Sequence, residues 1–383
     1  MKIFRNILLS ALVFLFLLCS CSGGTDPGGS ASQQEKEGIK KEAENPDGDE
    51  DDDEDEDETE EDETEDSEKK SDKVGNSGGV SEKIPPALGF LRYEIVSETE
   101  IVFEFSQAVS LVSLDLKSGL IFDAIAEGSK IKIILAEPPK PGQLIEVDLQ
   151  VKDGYGKNTV RKQLSFRTKN NRVPRLQINE LRTESSKPKA EFIELKMLSD
   201  GNLGALRVYV AGNYKNPLLY EFGPVEVKEG EYVVLHLRTY EDSCVDELGE
   251  SLDESGGTDS CSTARDFWIS GSTKLLHKTD AVYVLEQDDK VLDAVMISEK
   301  PDPLWSKNYF TDAAGFLFSK GAWKSPAGTV CSPADAVISS ATTLTRSICR
   351  DEKVENTHTA ADWYITANSG ATPGKENNPK RYN

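Results

Sequence analysis

The 383-residue sequence lacks most of what would announce a chemistry. It has three histidines, His236, His277 and His358, and they lie far apart in the chain. It has no G-x-S-x-G, no H-E-x-x-H, no phosphate-binding loop and no dinucleotide-binding glycine pattern. We therefore expect a protein that is not an enzyme and takes no cofactor. Positive charge is also scarce, with 44 Lys and Arg against 68 Asp and Glu and a net charge of −24. Nucleic-acid affinity rests on basic groups that neutralise phosphates, so a nucleic-acid partner is disfavoured. Helical periodicity is thin after residue 84. The one long apolar run, Ile7 to Leu18 broken only by Ser10, is shorter than the roughly 20 residues a membrane-spanning helix needs.

That run follows Lys2 and Arg5, which makes a charged segment and then an apolar one, the pattern of a secretory signal peptide. After it comes Leu18-Cys19-Ser20-Cys21, then Ser22-Gly23-Gly24. This resembles a lipobox, with Leu three positions and a small residue one position before the acylated cysteine. Cys21 fits that pattern and Cys19, preceded by Leu18, does not; the alternative is an ordinary signal peptide cleaved nearby. The resemblance implies a signal peptide at 1–20 and a diacylglyceryl group plus an N-acyl chain on Cys21. One acyl chain holds a membrane only marginally and two or more hold it stably, so the membrane is an expected partner through the lipid.

Residues 21–83 read as a disordered acidic tether. Between Asp49 and Asp66 every residue but Thr59 and Thr64 is acidic. Residues 25–83 hold 25 acids against 7 bases, so only about −8 of the net charge falls on residues 84–383. Such a segment has too little apolar surface to offset the entropy of ordering, and its charges repel. As a coil of about 60 residues it spans on the order of 40–50 Å, more with repulsion. The reading is a spacer. A calcium-binding loop of the EF-hand kind needs a Gly at its sixth position, and Asp49 to Glu60 has none. Cys21 is followed by Ser22 and not Asp, so the inner-membrane retention signal of enteric lipoproteins is missing. With the long tether, this resembles spirochaete-type outer-membrane lipoproteins, which implies a lipid-anchored, extracytoplasmic and surface-exposed location.

Four cysteines remain beyond the lipidated one: Cys244, Cys261, Cys331 and Cys349. An even number at an oxidising address points to two disulfides. Of the three connectivities we expect Cys244–Cys261 and Cys331–Cys349, because each pair flanks a polar, irregular stretch. The spacings contain no C-x-x-C, which argues against zinc, and no metal is expected.

Residues 84–170 alternate with period two. Ile101, Phe103 and Phe105 form one run; Ile131, Ile133 and Leu135 another; Ile145, Val147, Leu149 and Val151 a third; Leu164 and Phe166 a fourth. Turn signals separate them, among them Pro138-Pro139-Lys140-Pro141-Gly142 and Asp153-Gly154-Tyr155-Gly156. Short alternating strands at this spacing predict a β-sandwich. The run from Ile101 to Val109, Pro141-Gly142, Asp153-Gly154 with Asn158, and Phe166-Arg167-Thr168 together resemble bacterial Ig-like domains of the surface-layer type, which implies a spacer or adhesive module. From residue 174 to 378 a second set of signals appears. Leu176-Gln-Ile-Asn-Glu-Leu181 is followed by Glu191-Phe-Ile-Glu-Leu195, strands containing Asp280 and Asp293, and a close on Thr372-Pro-Gly-Lys-Glu-Asn377. This order resembles the bacterial lamin-tail domain family, enlarged by an insertion at 241–267 and a looser stretch at 301–340. The resemblances imply an all-β chain of two tandem Ig-like sandwiches.

Glu180, Glu191 and Glu194 carry the carboxylates that acid–base or metal chemistry uses. On a strand an odd spacing puts Glu191 and Glu194 on opposite faces. The plainer role is bonding turn backbone or pairing with Arg182 or Lys196. Asp280 and Asp293 read as strand-edge hydrogen bonders, and His236, within Val233-Val-Leu-His-Leu237, as half-buried on a strand. Trp268, Trp305, Trp323 and Trp363 with Tyr309, Phe310, Phe316 and Phe318 make either core or an aromatic face for glycan. The acidic insertion is the best candidate recognition loop, with Asp242, Asp246, Glu247 and Trp268 as candidate binding residues, since loops on a rigid sandwich carry function. The expected function is a lipid-anchored, non-catalytic envelope protein that binds an extracellular or envelope protein or a glycan. The alternatives are an envelope scaffold, or an accessory to a nuclease or phosphoesterase, enzymes that lamin-tail-like domains often accompany.

Overall fold

The computed structural model describes residues 87–382. The signal peptide, Cys21 and the tether lie outside the described residues. The first seven strands are β1 (Phe90–Ile95), β2 (Glu100–Phe105), β3 (Val109–Leu116), β4 (Phe122–Glu127), β5 (Lys130–Leu135), β6 (Leu144–Asp153) and β7 (Thr159–Arg167). They make two antiparallel sheets in the orders β1-β2-β5-β4 and β3-β6-β7, the strand order of a constant-type immunoglobulin sandwich. Alternation sets which side chains meet. Ile101, Phe103 and Phe105 of β2, Ile131, Ile133 and Leu135 of β5, and Ile145, Val147, Leu149 and Val151 of β6 form one buried cluster. Each such side chain gains about 1.5–3 kcal/mol from leaving water. The alternate positions face outward and carry charge, with Arg92 2.8 Å from Glu104 and Lys132 3.2 Å from Glu100 across strands. The turn after β6 is held by Asp153, whose carboxylate accepts the backbone N–H groups of Tyr155, Lys157 and Asn158 and the Asn158 amide.

The second unit has thirteen strands: β8 (Leu176–Arg182), β9 (Phe192–Met197), β10 (Gly201–Asn202), β11 (Arg207–Val210), β12 (Leu218–Glu221), β13 (Glu226–Val227), β14 (Tyr232–His236), β15 (Arg265–Trp268), β16 (Asp280–Leu285), β17 (Val291–Ser298), β18 (Val337–Ile338), β19 (Ile348–Arg350) and β20 (Trp363–Ile365). A six-stranded sheet, β15-β14-β9-β8-β19-β20, faces a five-stranded sheet, β12-β11-β16-β17-β18, while β10 and β13 pair apart. Ile178, Leu181, Ile193, Leu195, Val233 and Leu235 of the first meet Val208, Val282, Val284 and Val295 of the second in one core. The looser stretch contains a helix, α1 (Asn308–Ser319), that buries Phe310, Ala313, Ala314 and Leu317. Those positions follow the i, i+3, i+4, i+7 pattern of a one-sided helix. It ends in a Schellman turn: Gly321 adopts φ 70°, and the N–H groups of Gly321 and Ala322 reach back to the carbonyls of Phe318 and Leu317 at 3.0 and 2.9 Å.

The two units meet backbone to backbone. A Cβ on Gly142 would stand 2.2 Å from the Gly204 carbonyl carbon, and one on Gly204 2.0 Å from the Pro141 oxygen. Only glycine permits that approach. The Asn170 amide donates to the carbonyls of Asn202 and Gly204, both at 2.8 Å. Gln287 donates to the Thr168 carbonyl and accepts the Asn170 N–H, both at 2.8 Å. Arg167 lies 2.7 Å from Glu221.

The cysteines depart from expectation, since all four are free thiols. Cys331 sits within the core and takes the Trp323 indole N–H on its sulfur at 3.3 Å. Cys349 is the register partner of Glu180, on the opposite face of the six-stranded sheet. The Cys261 sulfur lies 3.1 Å from the Pro373 carbonyl, and that of Cys244 packs against Gly257. Each sulfur is thus occupied by different neighbours, and neither expected pair forms.

Candidate functional site: a buried polar face

One face of the six-stranded sheet is apolar and makes the core. The other carries Glu180, Arg182, Glu194, His236, Asp266 and Cys349, all between 0 and 4% exposed. Period-two alternation places them together, and two irregular segments cover them: the insertion and the C-terminal strap around residues 370–378.

Glu180 and Glu194 are directly opposite on β8 and β9. A bulge between Ile178 and Glu180 brings in Asn179, whose amide donates to Glu194 at 2.8 Å. The strap supplies the rest. The Thr372 N–H donates to both Glu180 oxygens at 3.2 and 3.0 Å, and the Gly374 N–H donates to Glu194 at 2.6 Å. The Ser347 hydroxyl also donates to Glu180. Burial raises the pKa of both carboxyls, and the charge of Glu180 pushes Glu194 further up. Burial beside the same carboxylates raises the Cys349 thiol well above its usual range.

Two residues along β14 from Val234, the register partner of Glu194, His236 forms the second cluster. Its Nε2 lies 2.9 Å from Asp266 and its Nδ1 3.8 Å from Asp259. Because β14 and β15 run parallel with His236 beside Trp268, the indole stacks on the imidazole with centroids 3.8 Å apart. Burial opposes the imidazolium, but the two aspartates outweigh it and the pKa rises. Asp259 also takes Arg182 and the Ala190 N–H, and the latter bond is 2.9 Å. His236 is thus fully buried, not half-buried as its local pattern suggested.

These groups fasten the insertion in place. Glu247 accepts the N–H groups of Ser255 and Asp266 at 3.1 and 2.8 Å. Asp246 accepts the Trp268 N–H at 2.8 Å and the Tyr220 hydroxyl at 2.6 Å. The Trp268 indole donates to Ser255 at 2.9 Å. Three of the four candidate binding residues, Asp246, Glu247 and Trp268, therefore face inward and hold the loop, because their polar atoms are needed by its own backbone. Asp242 is exposed. The eight acids from Glu241 to Asp259 have no Lys or Arg among them, and Val245 and Leu248 are 44 and 61% exposed.

The other singled-out residues are also occupied. Glu191 makes a two-point ion pair with Arg238 at 2.6 and 2.5 Å, separate from Glu194. Arg182 and Lys196 go to Asp259 and Glu352 rather than to the glutamates. Asp280 accepts the N–H groups of Gly212, Ala281 and His277 at 2.8, 2.9 and 3.3 Å, as a strand-edge carboxylate does, and burial raises it to about 7. Asp293 does more: it accepts the Ile178 N–H at 2.7 Å and pairs with Arg350 at 2.5 Å. Trp268, Trp323 and Trp363 are buried, leaving Trp305 half-buried. Sequence reasoning missed the Arg182–Asp259–His236–Asp266 chain and the Arg350–Asp293 pair. Their partners lie up to 77 residues apart, and no local spacing marks them.

Among the described residues, no group of three or more His, Cys, Asp or Glu is arranged to hold a metal ion, and no helix is long and apolar enough to cross a membrane. Chemically the face offers carboxyls and an imidazole with raised pKa values, each hydrogen-bonded to internal partners, while the His236 Nδ1 has no hydrogen-bond partner among the described residues.

A protein of Treponema pallidum (strain Nichols), described as uncharacterized, is 30% identical over 170 residues. The match takes in 42% of this chain and 43% of the relative, so the chain spans less than half of that protein's length. A family model described as TP_1001_2nd, protein second domain, matches residues 174–365, half of the chain and nearly all of the unit that carries the polar face. The chain belongs to the family of that second domain.

Proposed function

We propose that this protein is a lipid-anchored, non-catalytic envelope protein that holds two β-sandwich units off the membrane and presents them to a protein or glycan partner. The second unit is read as lamin-tail-like and the first as Ig-like. The observation that carries the proposal is the state of the polar face. Every group there with the chemistry to act as acid, base or nucleophile is buried and bonded to the chain's own backbone or side chains. A general base must reach a substrate proton, directly or through one water. Glu180, Glu194 and His236 reach the strap and the insertion instead.

The insertion's outer surface, with Asp242 and the exposed Val245 and Leu248, is the binding surface in this reading. An irregular stretch of this length inside a compact unit is uncommon unless it has a function, and here it is fastened rather than loose. The joint favours a second reading, an envelope scaffold, because the Gly142–Gly204 contact and the Asn170 and Gln287 bonds make the two units one stiff spacer.

The proposal is tested on cells. Mass spectrometry of the mature N-terminus is expected to find acylated Cys21, and an unmodified Ser22 at the terminus would end the lipoprotein reading. Protease added to intact cells is expected to remove residues 84–383. Protection until the outer membrane is opened would favour the scaffold over surface binding. Hydrolysis of nucleic acid, phosphoester or glycan that is lost on Glu194→Gln would overturn the non-catalytic assignment.

A further inference from the structure

The first unit has a cleft that neither its core nor the polar face explains. It lies where the chain leaves β7 for the second unit and measures about 220 Å³. Its floor is the end of the sandwich core, Ile101, Leu135 and Phe166, and Pro138, Pro139 and Pro141 wall one side. A site of about 150 Å³ with such walls is already enough to hold benzene. An open, mostly apolar recess with a few polar groups at its rim is the usual form of a small-molecule site.

The rim sets the charge. Glu98 takes the Asn171 amide, and Arg172 is engaged by Glu226 at 2.9 and 2.7 Å. Lys169, also on the rim, is exposed and has no ion-pair partner among the described residues. We propose that this cleft binds an amphiphile with a short apolar tail and an anionic head, the tail on Ile101, Leu135 and Phe166 and the head at Lys169. The inference does not depend on the adhesion reading, which concerns the second unit.

Octanoate, octanol, butyrate and octylammonium serve as probes, titrated into the mature protein while methyl NMR signals are followed. Octanoate is expected to shift the Ile101 and Leu135 methyls and leave Ile193 of the second unit unmoved. Each methylene removed is expected to weaken binding about fourfold, from about 0.8 kcal/mol per buried CH₂, so butyrate binds far more weakly. Lys169→Glu is expected to weaken octanoate about tenfold, the equivalent of about 1.4 kcal/mol, while octylammonium is not weakened. Ser97→Trp, at an exposed rim position in the β1–β2 turn, is expected to abolish the shifts while the Ile193 methyl signals of the second unit stay in place. No shift with octanoate at saturation would overturn the site. Equal binding of octanol and octanoate, unaltered by Lys169→Glu, would overturn its anionic specificity.

Discussion

The two β units solve one problem in different ways. The first buries mostly hydrocarbon: its core is Ile, Val, Leu and Phe from alternating strand positions, and its one buried charged side chain among the described residues is Asp153, which bonds the turn directly after its own strand. The second has a comparable apolar core and, in addition, buries Glu180, Glu194, His236, Asp266, Asp293 and Arg350. Burying a charge costs several kcal/mol unless a partner with good geometry offsets it, so each of these residues obliges another, distant in the chain, to be in place. The first unit is thus specified by local pattern and the second by long-range pairing. The difference lies in what the buried carboxylates of the second unit bond to. Here they anchor segments too irregular to hold themselves.

The sharpest way to break the comparison is to remove one partner on each side. Arg350→Met leaves Asp293 buried and unpaired, and urea unfolding is expected to show a loss of about 3–5 kcal/mol. Adding Asp293→Leu is expected to recover most of it. In the first unit Phe103→Ala is expected to cost a similar 3–5 kcal/mol by cavity formation, with no second substitution at a charged position able to recover it.

A smaller effect depends on pH. Asp280 has its folded pKa raised to about 7 by burial, above the ordinary aspartate value near 3.9. Its contribution is therefore fully present below about pH 4 and is lost as pH rises through about 7, at up to about 1.4 kcal/mol per unit. Asp280→Asn is expected to flatten that part of the stability profile between about pH 4 and 7, and an unchanged slope would contradict the assignment. His236 has the same sign, because its raised pKa gives stability present below about 6.5 and lost as pH climbs through the folded value. His236→Gln is expected to cost about 1–3 kcal/mol and to open the insertion to protease near residues 245–256. At the bottom of the scale, Arg161→Ala breaks an exposed pair with Asp148 on the first sandwich. Surface pairs of this kind contribute little, and no measurable change in the unfolding midpoint is expected.

The same contrast explains what the sequence made legible. The strands at Ile101–Phe105, Ile131–Leu135 and Ile145–Val151 were plain from alternation, and the Asp153 turn from its composition. The pairing of Glu180 and Glu194 with turn backbone was legible in kind, but its donors, Thr372 and Gly374, stand 192 and 180 residues away. The expected disulfides rested on loop spacing and cysteine count, and neither reports which side of a sheet a thiol faces. The helix at 308–319 was missed although Phe310, Ala313, Ala314, Leu317 and Gly321 carry its period and its stop. Asp246, Glu247 and Trp268 were misplaced for a physical reason: acids in a loop look solvated until the loop's own N–H groups need acceptors.

The most direct test is native-state hydrogen exchange at Cys261, Thr372 and Gly374, whose N–H groups bond to Asp266, Glu180 and Glu194. If the polar face is a closed structural layer, these loop amides exchange as slowly as those of β9. Exchange at the rate of open loop amides would mean that the cover lifts and exposes the carboxylates, and the non-catalytic account would fail.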